Sequence, residues 1–90
     1  MAEIRLSAPL RRVAGGAEVL DEKGKDLNEV IANIDAKFPG FKERILGPDR
    51  DLKPTVLVFV NFNDIRSLKG LRTPLREDDI VSILNHVIGG

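Results

Sequence analysis

The first apolar positions of the chain alternate with charged ones. Ile4 and Leu6 lie between charged or polar neighbours, which is the two-residue period of a strand, so we predict a first strand at residues 2–8. Gly15-Gly16 follows, and two adjacent glycines predict a chain reversal that needs positive φ. A second strand at about residues 17–22 then completes an N-terminal pair.

The next segment has the period of a helix. Asp26 with Glu29 three residues later has the spacing of a capping box and predicts where the helix begins. Pro39-Gly40 predicts its end, and one more short helical turn is expected at residues 41–46. The apolar residues that recur at helical spacing are Leu27, Val30, Ile31, Ile34 and Phe38.

The second half of the chain returns to strand patterns. The β-branched run from Thr55 to Asn61 predicts a buried strand, and the turn-forming residues 61–64 predict a hairpin after it. Residues 66–78 contain Gly and Pro breakers and are expected to be irregular. Ile80 to Leu84 predicts the last strand, and residues 85–90 are expected to form a flexible C-terminal tail.

This order of elements predicts an α+β fold of one domain over residues 1–84. One main helix packed across a mixed sheet of four to five strands is the economical way to cover one apolar face. The helix also provides the crossover that a parallel strand pair requires. The predicted arrangement is a β-grasp, the fold of ubiquitin.

Composition excludes several classes of function. The 90 residues contain no cysteine, which excludes disulfides, zinc–thiolate sites and thiol nucleophiles, and with one histidine we expect no metal site. The formal net charge is zero, so no overall field favours nucleic acid or an anionic membrane. We expect a cytoplasmic protein that binds neither.

One sheet face is expected to remain uncovered in a domain with a single main helix. In the run from Val56 to Val60 the three valines should face the helix, so Leu57 and Phe59 should face outward. Leu84 has the same outward position in the last strand. We expect these three residues to form a partner-binding patch, unless side chains from residues 66–78 cover it.

Four basic residues follow the predicted hairpin: Arg66, Lys69, Arg72 and Arg76. Arg66 and Arg72 are candidates for contacts with an acidic partner surface, and solvated loop charges are an equal alternative. No aromatic residues interleave with them, which argues against recognition of RNA by stacking.

The chain ends in Gly89-Gly90. Further characteristic residues are Val58-Phe59-Val60-Asn61, Asp64-Ile65-Arg66, Gly70-Leu71, Thr73-Pro74-Leu75, Asp79, Phe38-Pro39-Gly40 and Arg44-Ile45-Leu46. Over nearly its whole length the sequence resembles the MoaD/ThiS family, which includes the small subunit of molybdopterin synthase and the thiazole-biosynthesis sulfur carrier.

The resemblance implies chemistry at the carboxylate of Gly90. A ubiquitin-activating-like partner would use ATP to adenylate this carboxylate, and sulfur from a persulfide would convert it to a thiocarboxylate. The protein itself would then be a carrier that binds no cofactor, and not an enzyme. Val87, Ile88 and Gly89 would thread a channel in the partner, although the two apolar residues could instead fold back on the sheet.

The resemblance leaves the sulfur acceptor open. The molybdopterin synthase large subunit is the acceptor we expect, with thiamine, cysteine or tRNA thiolation as alternatives. Asn85-His86 stand where family members often have prolines, and Asp78-Asp79 are adjacent where a glycine often intervenes. Conjugation to lysines as a protein modifier, or a plain binding module without terminal chemistry, are the other functions considered.

Overall fold

The structure is a computed structural model that describes residues 1–85. The strands are β1 (Ala2–Leu6), β2 (Val19–Glu22), β3 (Val56–Val60), β4 (Asn63–Asp64) and β5 (Ile80–Asn85). The helices are α1 (Ala8–Arg11), α2 (Leu27–Lys37) and α3 (Phe41–Ile45), and two short 3-10 turns lie at Ile65–Ser67 and Gly70–Arg72.

The five strands form one mixed sheet in the order β2-β1-β5-β3-β4. β1 runs antiparallel to β2 and parallel to β5, whereas β3 runs antiparallel to both β5 and β4. The last strand therefore lies in the middle of the sheet. This is the predicted mixed sheet of a β-grasp, with α2 as its main helix.

Local sequence determines where α2 begins. The side-chain Oδ1 of Asp26 accepts a hydrogen bond from the backbone N–H of Glu29 at 2.9 Å, as an N-cap residue should. The Glu29 carboxylate in turn accepts from the N–H of Lys25 at 3.3 Å, one residue earlier than in the usual capping box. The predicted helix start is confirmed.

The core lies between the sheet and the helices. Strand alternation is as predicted, because all three valines of β3 are buried, as are Val81 and Ile83 of β5. α2 buries four of the five apolar residues predicted at helical spacing, and Phe38, which follows the helix, is partly buried. The buried residues of α2 are Leu27, Val30, Ile31 and Ile34, and β1 adds Ala2, Ile4 and Leu6.

The structure differs from the prediction around Pro9. The first strand ends at Leu6, and the short helix α1 occupies residues expected to be strand or loop. Pro9 lies in the first turn of this helix, where a missing N–H costs nothing, and Leu10 is fully buried. Burial of Leu10 against the core is a tertiary contact that the alternation of polar residues could not indicate.

Two reversals use positive φ. Gly15 and Gly16 have φ of 65° and 82°, which confirms the predicted turn. The β3–β4 hairpin places Asn61 and Phe62 at φ of 48° and 72°, so both central residues are left-handed, as in a type I′ turn. Asparagine tolerates this conformation, whereas an aromatic residue is an outlier there.

Candidate functional site

The predicted reactive group and its channel residues lie outside the described part of the chain. These are Gly90, Gly89, Ile88 and Val87, together with His86. Their roles stay predictions. The structure does describe the residue from which this segment starts, Asn85, which ends β5 and so extends that strand one residue beyond its predicted limit.

Asn85 has a partner on each edge of β5. It pairs with Val56 of β3 on one side. On the other side its backbone N–H donates to the hydroxyl of Ser7 at 2.9 Å, and the N–H of Ser7 donates to the carbonyl of Ile83 at 3.1 Å. Ser7 thereby continues the β1–β5 ladder by one side-chain hydrogen bond after β1 has ended, and it fixes the point where residues 86–90 begin.

The outer face of the sheet beside Asn85 is apolar. Leu84 is exposed, and Leu57 lies directly opposite it across the β3–β5 pair. Phe59 is partly exposed on the same face, opposite Ser82. The structure thus brings together the three residues that the sequence predicted to form a patch, and their contact with a partner stays a prediction.

Phe62 extends this apolar face, and sequence reasoning missed it. Its side chain is 82% exposed at the tip of the β3–β4 hairpin. With Phe59, Ser82 and Leu84 it lines a shallow groove of about 310 Å³. An aromatic residue between two asparagines in a turn was the signal available in the sequence. We define the outer apolar surface as Leu57, Phe59, Phe62, Ser82 and Leu84.

The basic residues after the hairpin are spread over several surfaces. Arg66 lines a small cavity with Asp51, whereas Lys69 and Arg76 line a different one. Arg72 lies on the second 3-10 turn, which packs against α2 on the helix side of the sheet. Arg66 and Arg72 are both exposed, and their proposed contacts with a partner are not tested by this geometry.

A larger cavity of about 610 Å³ lies at the opposite end of β5 from Asn85. Two of its polar side chains are paired, because the Asn61 amide donates to Asp79 Oδ1 at 2.8 Å. The Ile80 N–H donates to Asn61 Oδ1 at 2.9 Å, and the Arg76 N–H donates to Asp79 Oδ2 at 2.8 Å. These hydrogen bonds connect the hairpin to the start of β5 and indicate a structural role.

Residues 1–85 contain neither a candidate membrane span nor a candidate metal site. No helix there has the length and apolar character needed to cross a bilayer. In the same residues no three side chains of the His, Cys, Asp or Glu type are grouped so that they could hold a metal ion.

The family model and the similar proteins each match nearly the whole chain. The model of the ThiS family matches residues 4–90. The sulfur carrier protein CysO of Mycobacterium tuberculosis is 35% identical over 83 residues, which are 90% of this chain and 89% of the relative. The small archaeal modifier protein 3 of Haloferax volcanii is 30% identical over 90 residues and covers 98% of this chain and 97% of its own.

Solved structures give the same answer for the fold. A chain in the crystal structure of the Amycolatopsis orientalis BexX/CysO complex superposes with a TM-score of 0.92 at 28% identity, covering 100% of both chains. The crystal structure of M. tuberculosis CysO gives a TM-score of 0.90 at 30% identity, covering 97% of this chain and 100% of the other. The ubiquitin-like β-grasp is therefore confirmed, and the chain belongs to the ThiS family, whose members include small sulfur carrier proteins.

Proposed function

We propose that this protein carries sulfur on its C-terminal glycine. The Gly90 carboxylate attacks ATP in the active site of an adenylating partner, which releases pyrophosphate and forms an acyl-adenylate. Sulfur delivered as a persulfide displaces AMP, and a thiol cleaves the resulting S–S bond to leave a thiocarboxylate. The thiocarboxylate then gives its sulfur to an acceptor bound by another enzyme.

One observation carries this proposal. Two terminal glycines are the fourth and fifth residues beyond the end of the central strand in a chain of the ThiS family. Five extended residues reach about 17 Å from Asn85, which is sufficient to enter a partner's active site. Glycine lacks a side chain and accepts backbone angles closed to other residues, so it suits a narrow channel.

The chain depends on partners for the reaction. It contains no cysteine, so it cannot form the persulfide that supplies the sulfur. The single titratable imidazole, His86, has no orienting group that the sequence reveals. We therefore assign adenylation, sulfur supply and sulfur acceptance to other proteins, and to this chain the role of a non-catalytic carrier.

The outer apolar surface is our proposed docking site for the adenylating enzyme. On this face, Leu57 and Leu84 are the cross-strand pair next to Asn85. A partner that covers them is therefore positioned to receive the chain that follows. Aromatic residues such as Phe59 and Phe62 are the type that contributes most to binding energy at interfaces.

The names of the similar proteins change which sulfur acceptor we propose first. The sequence alone suggested molybdopterin synthesis, whereas the similar proteins of M. tuberculosis and A. orientalis are named CysO. We therefore place carriage toward cysteine synthesis first and molybdopterin synthesis second. Purified thiocarboxylate protein offered to the host's cysteine synthase and to its molybdopterin synthase large subunit distinguishes them, because only the cognate enzyme consumes the thiocarboxylate.

The test of sulfur carriage is the mass of the protein purified from its own host. We expect a fraction of the protein to be heavier by the exchange of one oxygen for sulfur, with the difference located at Gly90 by fragmentation. A variant lacking Gly89 and Gly90 should show no such species and should not support ATP–pyrophosphate exchange by the adenylating enzyme. A variant that still supports exchange would refute the proposal.

Conjugation to proteins is the second candidate, favoured by the similarity to a small archaeal modifier protein. It uses the same adenylated glycine but transfers it to lysine. Incubation with host extract and ATP should then produce adducts of higher mass that are linked through Gly90. If the protein is only a sulfur carrier, the thiocarboxylate forms and these adducts do not.

A further inference from the structure

A basic groove lies next to the point where β5 ends. It has a volume of about 340 Å³ and is lined by Ala8, Pro9, Arg12 and Arg44. Arg12 directly follows α1, and Arg44 belongs to α3, so two segments far apart in the sequence each contribute one guanidinium. The walls provided by Ala8 and Pro9 are apolar.

Both arginines are available for an external anion. Arg12 and Arg44 are exposed, and among residues 1–85 neither forms an ion pair. The neighbouring Arg11 differs, because its Nε donates to the carbonyl of Leu6 at 3.0 Å and its guanidinium pairs with Glu18 at 3.3 Å. Arg11 stabilises the fold, whereas Arg12 makes no such contact with any of residues 1–85.

The groove is close to the start of the C-terminal segment. Ser7, whose hydroxyl holds the N–H of Asn85, directly precedes Ala8, and α1 contacts β5. The groove wall thus begins one residue from the atom that fixes Asn85. A protein surface that docks beside Asn85 would therefore lie close to this groove.

We propose that the Arg12–Arg44 groove binds an acidic segment at the channel entrance of the adenylating partner, an inference that rests on the proposed function. The entrance meets the start of the segment, whereas ATP must meet Gly90 about 17 Å further along an extended chain. Carboxylates of the partner, not the triphosphate, are therefore the anions within reach. The formal net charge is zero, so this attraction is local to the groove.

The groove acts mainly on encounter and orientation. Complementary charges at the edge of an interface raise association rates and make binding depend on salt. Together with the outer apolar surface, the groove gives the partner two kinds of contact on different sides of Asn85. A partner that satisfies both can hold the chain end in one orientation.

The experiment compares charge reversals in the full-length chain. Arg12→Glu with Arg44→Glu is the test. The control with the same change in net charge is Lys69→Glu with Arg76→Glu, two residues that line the cavity at the opposite end of β5. Thermal unfolding is measured for each variant. The readout is ATP–pyrophosphate exchange catalysed by the host's adenylating enzyme at low and high salt. We expect the Arg12→Glu, Arg44→Glu variant to raise KM for the carrier about tenfold at low salt, with kcat unchanged and a weaker salt dependence.

Equal KM values for the Arg12→Glu, Arg44→Glu variant and the Lys69→Glu, Arg76→Glu control would overturn the inference while leaving sulfur carriage intact. Absence of exchange with the wild-type chain would instead refute the proposed function, and the inference with it. The chain's own terminal carboxylate is the competing occupant of the groove. If deletion of Gly89 and Gly90 shifts the Arg12 and Arg44 Nε resonances of the free protein, that self-contact overturns the partner assignment.

Discussion

At the scale of single residues, Phe62 combines two unfavourable properties. It exposes 82% of its side chain, and its backbone φ is 72°. A left-handed conformation costs an ordinary residue about 1–2 kcal/mol, and residues under such strain concentrate at functional positions. Neither property helps the chain to fold, so Phe62 is best explained by binding.

Replacing Phe62 should therefore change stability and binding in opposite directions. We expect Phe62→Gly to raise the free energy of unfolding by about 0.5–1 kcal/mol, because relief of the strain exceeds the entropic cost of glycine. The same variant should raise KM for the carrier in ATP–pyrophosphate exchange. Urea denaturation and the exchange assay measure the two effects.

Arg50→Gly is the matched control, because Arg50 also has positive φ, at 63°, but lies in the loop between α3 and β3. It should gain similar stability without a change in KM. Loss of stability in Phe62→Gly would show that the exposed ring makes contacts that stabilise the fold, which contradicts this explanation.

Ser7 allows a second prediction at a single residue. Ser7→Ala removes the hydroxyl that accepts the N–H of Asn85, so the amide proton of Asn85 should exchange with solvent faster while the core amides keep their protection. The free energy of unfolding should fall by about 1 kcal/mol. Ser67→Ala removes another hydroxyl hydrogen bond, at 2.7 Å to Asp64, and should leave exchange at Asn85 unchanged.

At the scale of elements, the connection from β2 to α2 passes so close to α2 that only glycine fits at position 24. A Cβ added at Gly24 would lie 2.6 Å from Cγ2 and 2.8 Å from the backbone N of Val30. Gly24→Ala should lower the free energy of unfolding by about 1–3 kcal/mol, because the backbone of α2 must move. A Cβ added at Gly47 would lie 3.1 Å from the side-chain Oδ1 of Asp49 and 3.9 Å from the backbone carbonyl of Asp51, so Gly47→Ala should cost less in the same denaturation measurement.

Elements with local signals were predictable, and those that depend on tertiary contacts were not. The start of α2 follows from Asp26 and its own helical period, and the strand faces follow from alternation in β3 and β5. α1 has four residues and depends on burial of Leu10, so no periodicity indicates it. The contact between Ser7 and Asn85 spans 78 residues, and nothing near either residue indicates it.

For the site, the sequence indicated the apolar patch but not its extent. Leu57, Phe59 and Leu84 followed from alternation within predicted strands. Phe62 lies in a turn, where alternation gives no direction. The Arg12–Arg44 groove joins two segments that are far apart in sequence, so it required the fold.

At the scale of the whole molecule, the core and the proposed docking surface lie on opposite faces of one strand. Ile83 of β5 is fully buried against the helices, whereas its neighbour Leu84 is 38% exposed on the other face. Leu84 can thus be changed for its effect on a partner without much effect on the core. Ile83 can conversely be changed for its effect on the core without much effect on binding to a partner.

The matched pair Ile83→Ala and Leu84→Ala separates these two uses of β5. Ile83→Ala should lower the free energy of unfolding by about 2–5 kcal/mol, because it leaves a cavity in the core, yet KM measured well below its unfolding temperature should stay near that of the wild type. Leu84→Ala should change stability by less than about 1 kcal/mol and raise KM several-fold. If Leu84→Ala leaves KM unchanged, the outer apolar surface is not where the adenylating enzyme docks. The groove at Arg12 and Arg44 would then be the remaining contact proposed beside the end of β5.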